Sequence, residues 1–349
     1  VLTINDINNA INLTFIVFPS NYVYVKIIPQ KAKKKKEGCR MTLIGENLHI
    51  ISPSIKEAIA QRNEKFILEL VKKQVEAGVK TIDLNIGPAK AKLEGSMSWL
   101  VKIISENFAD VAFSLDTTSA NELEEGFSLI KNPANCFLNS ATADEQRLIN
   151  TSEIAQKYNS NLIALTLDNS SGIPKTSEER LELAFKINET TMEYSIENSK
   201  IYFDPLVLPI CVEQSQANVT LEAIRMFKES FDPEVKTVIG LSNVSNGAPK
   251  AQRPLINRVF MVLALGSGLD AVIIDSFDKE SVDIYNKLKS ANVLSDTDKL
   301  YFELYNMSSS LGVLEDVKYN KDDAAQGAIY KTAQILLDKE IYSHSYLEK

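Results

Sequence analysis

The sequence predicts an α/β protein folded as a (β/α)8 TIM-type barrel, with an N-terminal extension and a longer C-terminal helical region. Two observations carry this. From Met41 onward, short β-branched apolar runs alternate with longer amphipathic patterns, the signature of successive βα units on a parallel sheet. Eight such units fit into roughly 250 residues, the usual size of that barrel. The composition agrees, since 349 residues at 44% hydrophobic and 24% charged describe a globular chain with a sizeable core.

In order, strands are expected at Thr42–Gly45, Lys80–Leu84, Val111–Leu115, Asn135–Leu138, Leu162–Thr166, Ile201–Phe203, Thr237–Leu241 and Ala271–Ile274. Apolar residues at three- and four-residue spacing mark helices between them, as in Asn63–Ala77, Ser119–Ile130 and Ser177–Ile196. Gly266-Ser267-Gly268 follows a helical pattern and lacks the third glycine of a dinucleotide turn, so it reads as a helix-ending glycine pair. A doubly wound sheet is the alternative architecture, and the first strand is not followed by the turn it needs. Residues 290–321 are expected to be a helical insertion before a closing helix at Asp323–Asp338. The barrel domain thus spans 41–349.

Residues 1–40 are a different kind of polypeptide. They carry Lys26, Lys31, Lys33, Lys34, Lys35, Lys36 and Arg40 against Asp6 and Glu37, a net +5, so the remainder carries −13 and the whole chain −8. A signal peptide fails on order, because the basic run follows the apolar part. Leu13–Ile28 is too broken to cross a membrane. The segment is expected to be a disordered basic extension, or a start assigned upstream of Met41.

Residue usage excludes further chemistry. An acidic chain suits neither nucleic acid nor a phosphate backbone. Cys39, Cys136 and Cys211 form no CxxC, which implies neither a disulfide framework nor a metal site, and a reducing, cytoplasmic compartment is expected. His49 and His344 are the only histidines, too few for a His-rich metal site and poor material for a Ser/His/Asp triad. No metal is expected on this chain.

The strand ends are more informative. They read Glu46 and Asn47, Asp83 and Asn85, Asp116, Asn139, Asp168, Asp204, Ser242 and Asn243, and Asp275. In a barrel these rise at one face, where active sites sit. Any one of them also suits a turn or a helix cap. Recurring on successive strands, they supply carboxylates and carboxamides with few cations, which suits a ligand rich in N–H donors.

The stretches LIGEN (43–47), TIDLNIGPA (81–89), FSLDTT (113–118), FLNSAT (137–142), GIPKTSEER (172–180), YFDPLVLP (202–209), GLSNVSNG (240–247) and RPLINRVF (253–260) resemble the pterin-binding methyltransferase family. Within it they are most similar to the methyltetrahydrofolate:corrinoid/iron-sulfur protein methyltransferases of the anaerobic acetyl-CoA pathway. The resemblance implies that Asp116, Asn139 and Asp204 hold the pterin edge, where a buried carboxylate accepts two adjacent N–H groups. It implies that Asn243 hydrogen-bonds N5 of the methyl donor, 5-methyltetrahydrofolate, beside Ser242. Arg253 falls to the pteridine or the benzoyl-glutamate side, and Glu46 to the mouth. Asp83 and Asn85 either touch the ring or order the floor beneath it. An asparagine is no proton source near neutral pH, so a network through Asp116 or Asp204 is invoked and the donor stays open. No cobalamin-binding DxHxxG occurs, so the Co(I) corrinoid is expected on a partner, the corrinoid/iron-sulfur protein, and the family implies a homodimer. The alternatives are methyl transfer to another corrinoid protein in demethylation or methionine synthesis, dihydropteroate synthase, and a non-catalytic folate-binding subunit.

Overall fold

The computed structural model describes residues 11–17, 23–29, 40–88, 93–169 and 172–348. The chain divides into two units, Val1–Cys39 and Arg40–Lys349. In the first, strands β1 (Ile11–Val17) and β2 (Val23–Pro29) pair antiparallel. Disorder is expected over residues 1–40, of which these two strands and Arg40 are described and the rest, the basic run at 31–36 included, lies outside the described residues.

In the second unit, eight parallel strands close into a barrel with β10 beside β3. They are β3 (Thr42–Gly45), β4 (Thr81–Gly87), β5 (Ala112–Thr117), β6 (Phe137–Ala141), β7 (Asn161–Leu165), β8 (Ile201–Asp204), β9 (Lys236–Gly240) and β10 (Ala271–Ile274). Each expected strand is present, β3 and β10 with the expected ends and the others with ends adjusted. β4 runs on to Gly87 because the Asn85 N–H and C=O pair with Leu48 O and Ile50 N. β6 begins at Phe137 because Pro133–Asn135 forms a 3-10 turn, and proline has no N–H for a ladder.

The helices are α1 (Pro53–Ala60), α2 (Glu64–Glu76), α3 (Ser96–Asn107), α4 (Ala120–Ser128), α5 (Glu145–Tyr158), α6 (Ser177–Glu193), α7 (Ser215–Ser230), α8 (Arg253–Ser267), α9 (Lys279–Ser290), α10 (Asp296–Ser309) and α11 (Ala324–Leu336). Side chains of Asn63, Ser119, Asp144, Thr176 and Asp278 cap α2, α4, α5, α6 and α9 by accepting a free backbone N–H. None of these is a strand-end residue named above, so capping does not account for the acids and amides at the barrel mouth. Within 290–321 the structure has α10 and a short 3-10 turn at Leu314–Asp316. The glycine pair divides its duties. Gly268, at φ 110°, ends α8, whereas a Cβ on Gly266 would stand 2.6 Å from Tyr305 O, so this position admits the close approach of α10. No described helix is long and apolar enough to cross a membrane.

Strand side chains alternate between the barrel interior and the surrounding helices. Ile44, Phe137, Ile163, Tyr202, Val238 and Ala271 form a buried inner cluster, with Leu165 and Ile273 packed against it. Each large apolar side chain removed from water contributes about 1.5–3 kcal/mol. The interior is therefore an apolar plug, and only its upper end is open to polar chemistry.

Candidate active site

Because the side-chain period is two, the residue two places beyond each plug residue faces inward one layer higher. Four of these are Glu46 beyond Ile44, Asn139 beyond Phe137, Asp204 beyond Tyr202 and Gly240 beyond Val238, while Leu165 beyond Ile163 and Ile273 beyond Ala271 stay apolar. The register places Asp83 opposite Ser114, Asn85 opposite Asp116, and Asp116 opposite Asn139. Glu46, Asp83, Asn85, Asp116, Asn139 and Asp204 thus share the C-terminal mouth.

Hydrogen bonds sort this layer into a floor and a rim. Asp83 is only 3% exposed, and its Oδ1 accepts from Asn139 Nδ2 at 3.3 Å. Asn139 Nδ2 also lies 3.4 Å from Ser114 Oγ. Asp116 is half-buried, and its Oδ2 accepts from Asn85 Nδ2 at 2.5 Å. Asp204 is 7% exposed, and its Oδ1 accepts from the Leu206 N–H at 2.7 Å. At the mouth, Ser242 Oγ donates to Glu46 Oε1 at 2.5 Å.

Burial dominates the protonation of these acids. It pushes Glu46 up to about 7 despite the Ser242 hydrogen bond, with Asp275 and Asp83 adding repulsion. Burial also raises Asp204 to about 7 and Asp116 to about 6, opposed by the Leu206 N–H and Arg180 at Asp204, and by Asn85 and Arg147 at Asp116. Asp83 is raised well above the carboxylate range by burial and by Asp116 beside it. Buried acceptors of this kind call for donors from a ligand or from water.

The β9 end supplies the remaining groups. Leu241–Ser245 is a 3-10 turn carrying Ser242 and the exposed Asn243. Asn243 Nδ2 lies 3.0 Å from where a Cβ on Gly240 would sit. That glycine therefore lets the amide fold over the inner face of β9, above Val238. Arg253 opens α8 and is oriented by Nε donating to Ala248 O at 2.8 Å. A cavity of about 300 Å³ adjoins the mouth, lined by Ser242, Ser245, Lys250, Arg253, Asn257 and Asp275 among others.

Two strand-end acids turn aside. Asp275 Oδ1 accepts from Asn47 Nδ2 at 2.6 Å, which locks the loops after β3 and β10 together. Asp168 is drawn to Lys186 Nζ on α6, at 3.3 Å.

Two arginines escaped the sequence reading. Arg180 is fully buried, with Nη1 donating to Leu206 O and Thr220 Oγ1, Nη2 to Gln216 Oε1, and Nε to Pro174 O. It clamps the corner whose N–H binds Asp204. Leu206 adopts φ 69° there, a left-handed backbone that a β-region residue avoids. Arg147 Nε donates to Ser140 O at 2.9 Å and bears electrostatically on Asp116. Both sit in helical patterns that read as solvated faces; the one available signal was that Arg180 closes the GIPKTSEER stretch.

An apolar barrel plug capped by buried and half-buried acids and amides defines a site class, a barrel enzyme pocket for a small heterocycle presenting N–H groups. The chain belongs to the family of pterin binding enzymes, which it matches over residues 52–275. It is 28% identical over 242 residues to the methylcorrinoid:tetrahydrofolate methyltransferase of Eubacterium limosum, covering 69% of this chain and 87% of that protein. It is 27% identical over 233 residues to methionine synthase of Mycobacterium tuberculosis, covering 64% of this chain but only 19% of that much longer protein. Among solved structures, dihydropteroate synthase of Xanthomonas albilineans with 4-aminobenzoic acid superposes with a TM-score of 0.55 at 13% identity, over 73% of this chain and 94% of that one. The Yersinia pestis dihydropteroate synthase gives 0.51 at 18% identity, over 73% and 94%. At such identities the structural likeness speaks for the fold.

Proposed function

We propose that this protein transfers a methyl group between N5 of tetrahydrofolate and the cobalt of a corrinoid carried by a partner protein. The observation that carries the reading is the mouth itself, where Asp116, Asn139 and Asp204 stand in one inward layer and Asn243 folds over its edge. The names of the Eubacterium limosum and mycobacterial relatives support it.

In this reading Asp116, Asn139 and Asp204 receive the ring N–H groups and the exocyclic amine, and Asp83 with Asn85 hold those receivers in place. Asn243 polarises N5, where charge develops as the carbon–nitrogen bond breaks. Arg253 lies toward the benzoyl-glutamate side. The corrinoid supplies the cobalt that donates or accepts the methyl group, and the open mouth leaves room for its protein. That partner is a corrinoid/iron-sulfur protein on the strength of the motif resemblance, with this chain acting as a homodimer. A dihydropteroate synthase would need a lysine in the turn after β9, and LSNVS carries none.

The Eubacterium limosum relative's name favours a second reading of direction, with methylcorrinoid as donor and tetrahydrofolate as acceptor. The same residues serve both directions, by reversibility. The test mixes purified protein with labelled methyltetrahydrofolate and chemically reduced cobalamin and looks for labelled methylcobalamin. Absence of transfer in both directions, together with formation of dihydropteroate from a pterin diphosphate and 4-aminobenzoate, would overturn the reading. Exchanging corrinoid/iron-sulfur protein for a demethylase corrinoid protein identifies the partner by relative rate.

A further inference from the structure

We propose that Glu46, acting through the Ser242 hydroxyl, is the proton reservoir for N5 of the folate. The inference rests on the methyl-transfer reading and assigns a role within it. Glu46 occupies the first inward position above the plug, just past β3, and Ser242 stands on the turn after β9, with only β10 between the two strands. Their side chains meet at 2.5 Å. When the carboxyl carries its proton on Oε1, the same contact runs from Glu46 to Ser242.

Ser242 is adjacent to Asn243 in one short turn, so the hydroxyl belongs to the rigid unit that presents the amide to N5. It also lines the cavity of about 300 Å³, which gives the pair a route to water. Glu46 is half-buried, whereas Asp83 is sealed beneath Asn139. Of these two acids, only Glu46 is both open to the mouth and joined to the turn of Asn243.

The charged groups around Glu46 favour its protonated form. Asp83 on β4 and Asp275 after β10 repel its charge, and Asp116 and Asp204 stand farther round the ring. His49 lies on its own loop, and Lys250 and Arg253 line the far side of Ser242. Arg147 and Arg180 bear on Asp116 and Asp204 instead.

The step balances. As the methyl carbon takes the electron pair of a Co(I) corrinoid, the N5–carbon bond breaks and its pair stays on nitrogen. In the same step N5 takes the Ser242 hydroxyl proton while Ser242 Oγ takes the proton of Glu46, leaving a carboxylate that water re-protonates. In the opposite direction Glu46 receives the proton that N5 gives up.

The test measures single-turnover transfer to reduced free cobalamin from pH 5.5 to 8.5, with methyltetrahydrofolate affinity followed separately by fluorescence. In the wild type the rate should fall as pH rises through about 7. Glu46→Gln should slow transfer at pH 6 by about 100-fold or more and flatten that pH dependence, while affinity changes less than about threefold. Ser242→Ala should act in the same direction, and carries the test alone if Glu46→Gln does not fold. Wild-type rate and pH profile in both variants would overturn the proposal, as would a loss of rate matched by an equal loss of affinity. A wild-type protein that transfers nothing in either direction refutes the methyl-transfer reading itself.

Discussion

Two successive layers of the same barrel differ by a single step along each strand: Ile44 against Glu46, Phe137 against Asn139, Tyr202 against Asp204, Val238 against Gly240. The lower layer is filled with side chains that gain from leaving water. The upper layer carries acids and amides that lose by it, beside the apolar Leu165 and Ile273, and burial raises the pKa of each of its acids. The difference teaches that the mouth is held against its own preference by the strands beneath it, and that a ligand supplying N–H donors relieves the mismatch. Stability and binding should therefore separate by layer.

Breaking the lower layer gives the largest expected effect on stability. Phe137→Ala removes a ring stacked edge-on against Tyr202 at 4.9 Å, and should destabilise the protein by about 3–5 kcal/mol in denaturant unfolding. Pterin affinity of the folded fraction should stay within about threefold. In the upper layer, Asn243→Ala should slow methyl transfer by about 10²–10³-fold with a much smaller change in pterin binding, as expected for a donor used in the transition state. Stopped-flow transfer and a fluorescence titration separate the two.

The upper layer should also make stability depend on pH, which the apolar lower layer does not. The folded chain holds the protons of Asp204, Glu46 and Asp116 more tightly than the unfolded chain, since their folded values of about 7, 7 and 6 exceed the ordinary carboxylate values of 3.8, 4.5 and 3.8. Their contribution is complete below about pH 4 and is lost as pH rises through 6 and 7. The ligand-free protein should therefore show a thermal midpoint that declines between pH 5 and 8. Asp204→Asn should remove part of that decline and stabilise the ligand-free protein at pH 8, by roughly 2–4 kcal/mol, while impairing binding.

How much of this was legible depends on which interactions are local. The eight strands follow from β-branched runs, and Glu46, Asp116, Asn139 and Asp204 follow from their places at strand ends. Asp168 shows the limit, because its position matches the others while Lys186 draws it to α6. Arg180 was illegible for the opposite reason. It lies on a helix among charged neighbours, and only the packing of α6 against α7 turns it inward to Gln216 and Thr220. Gly240 falls within the expected strand Thr237–Leu241, and only the structure shows that its missing Cβ is the space that Asn243 Nδ2 approaches. Packing between distant residues decides the first two, and the path of the turn after β9 decides the third.

The most direct test of the central claim is calorimetric titration of methyltetrahydrofolate into the wild type, Asp116→Asn and Phe137→Ala. The account predicts one site per chain, an affinity about 10–100-fold weaker in Asp116→Asn, and near-native affinity in folded Phe137→Ala. Equal affinity in the wild type and Asp116→Asn would contradict it, and would move the pterin site away from the upper layer of the barrel.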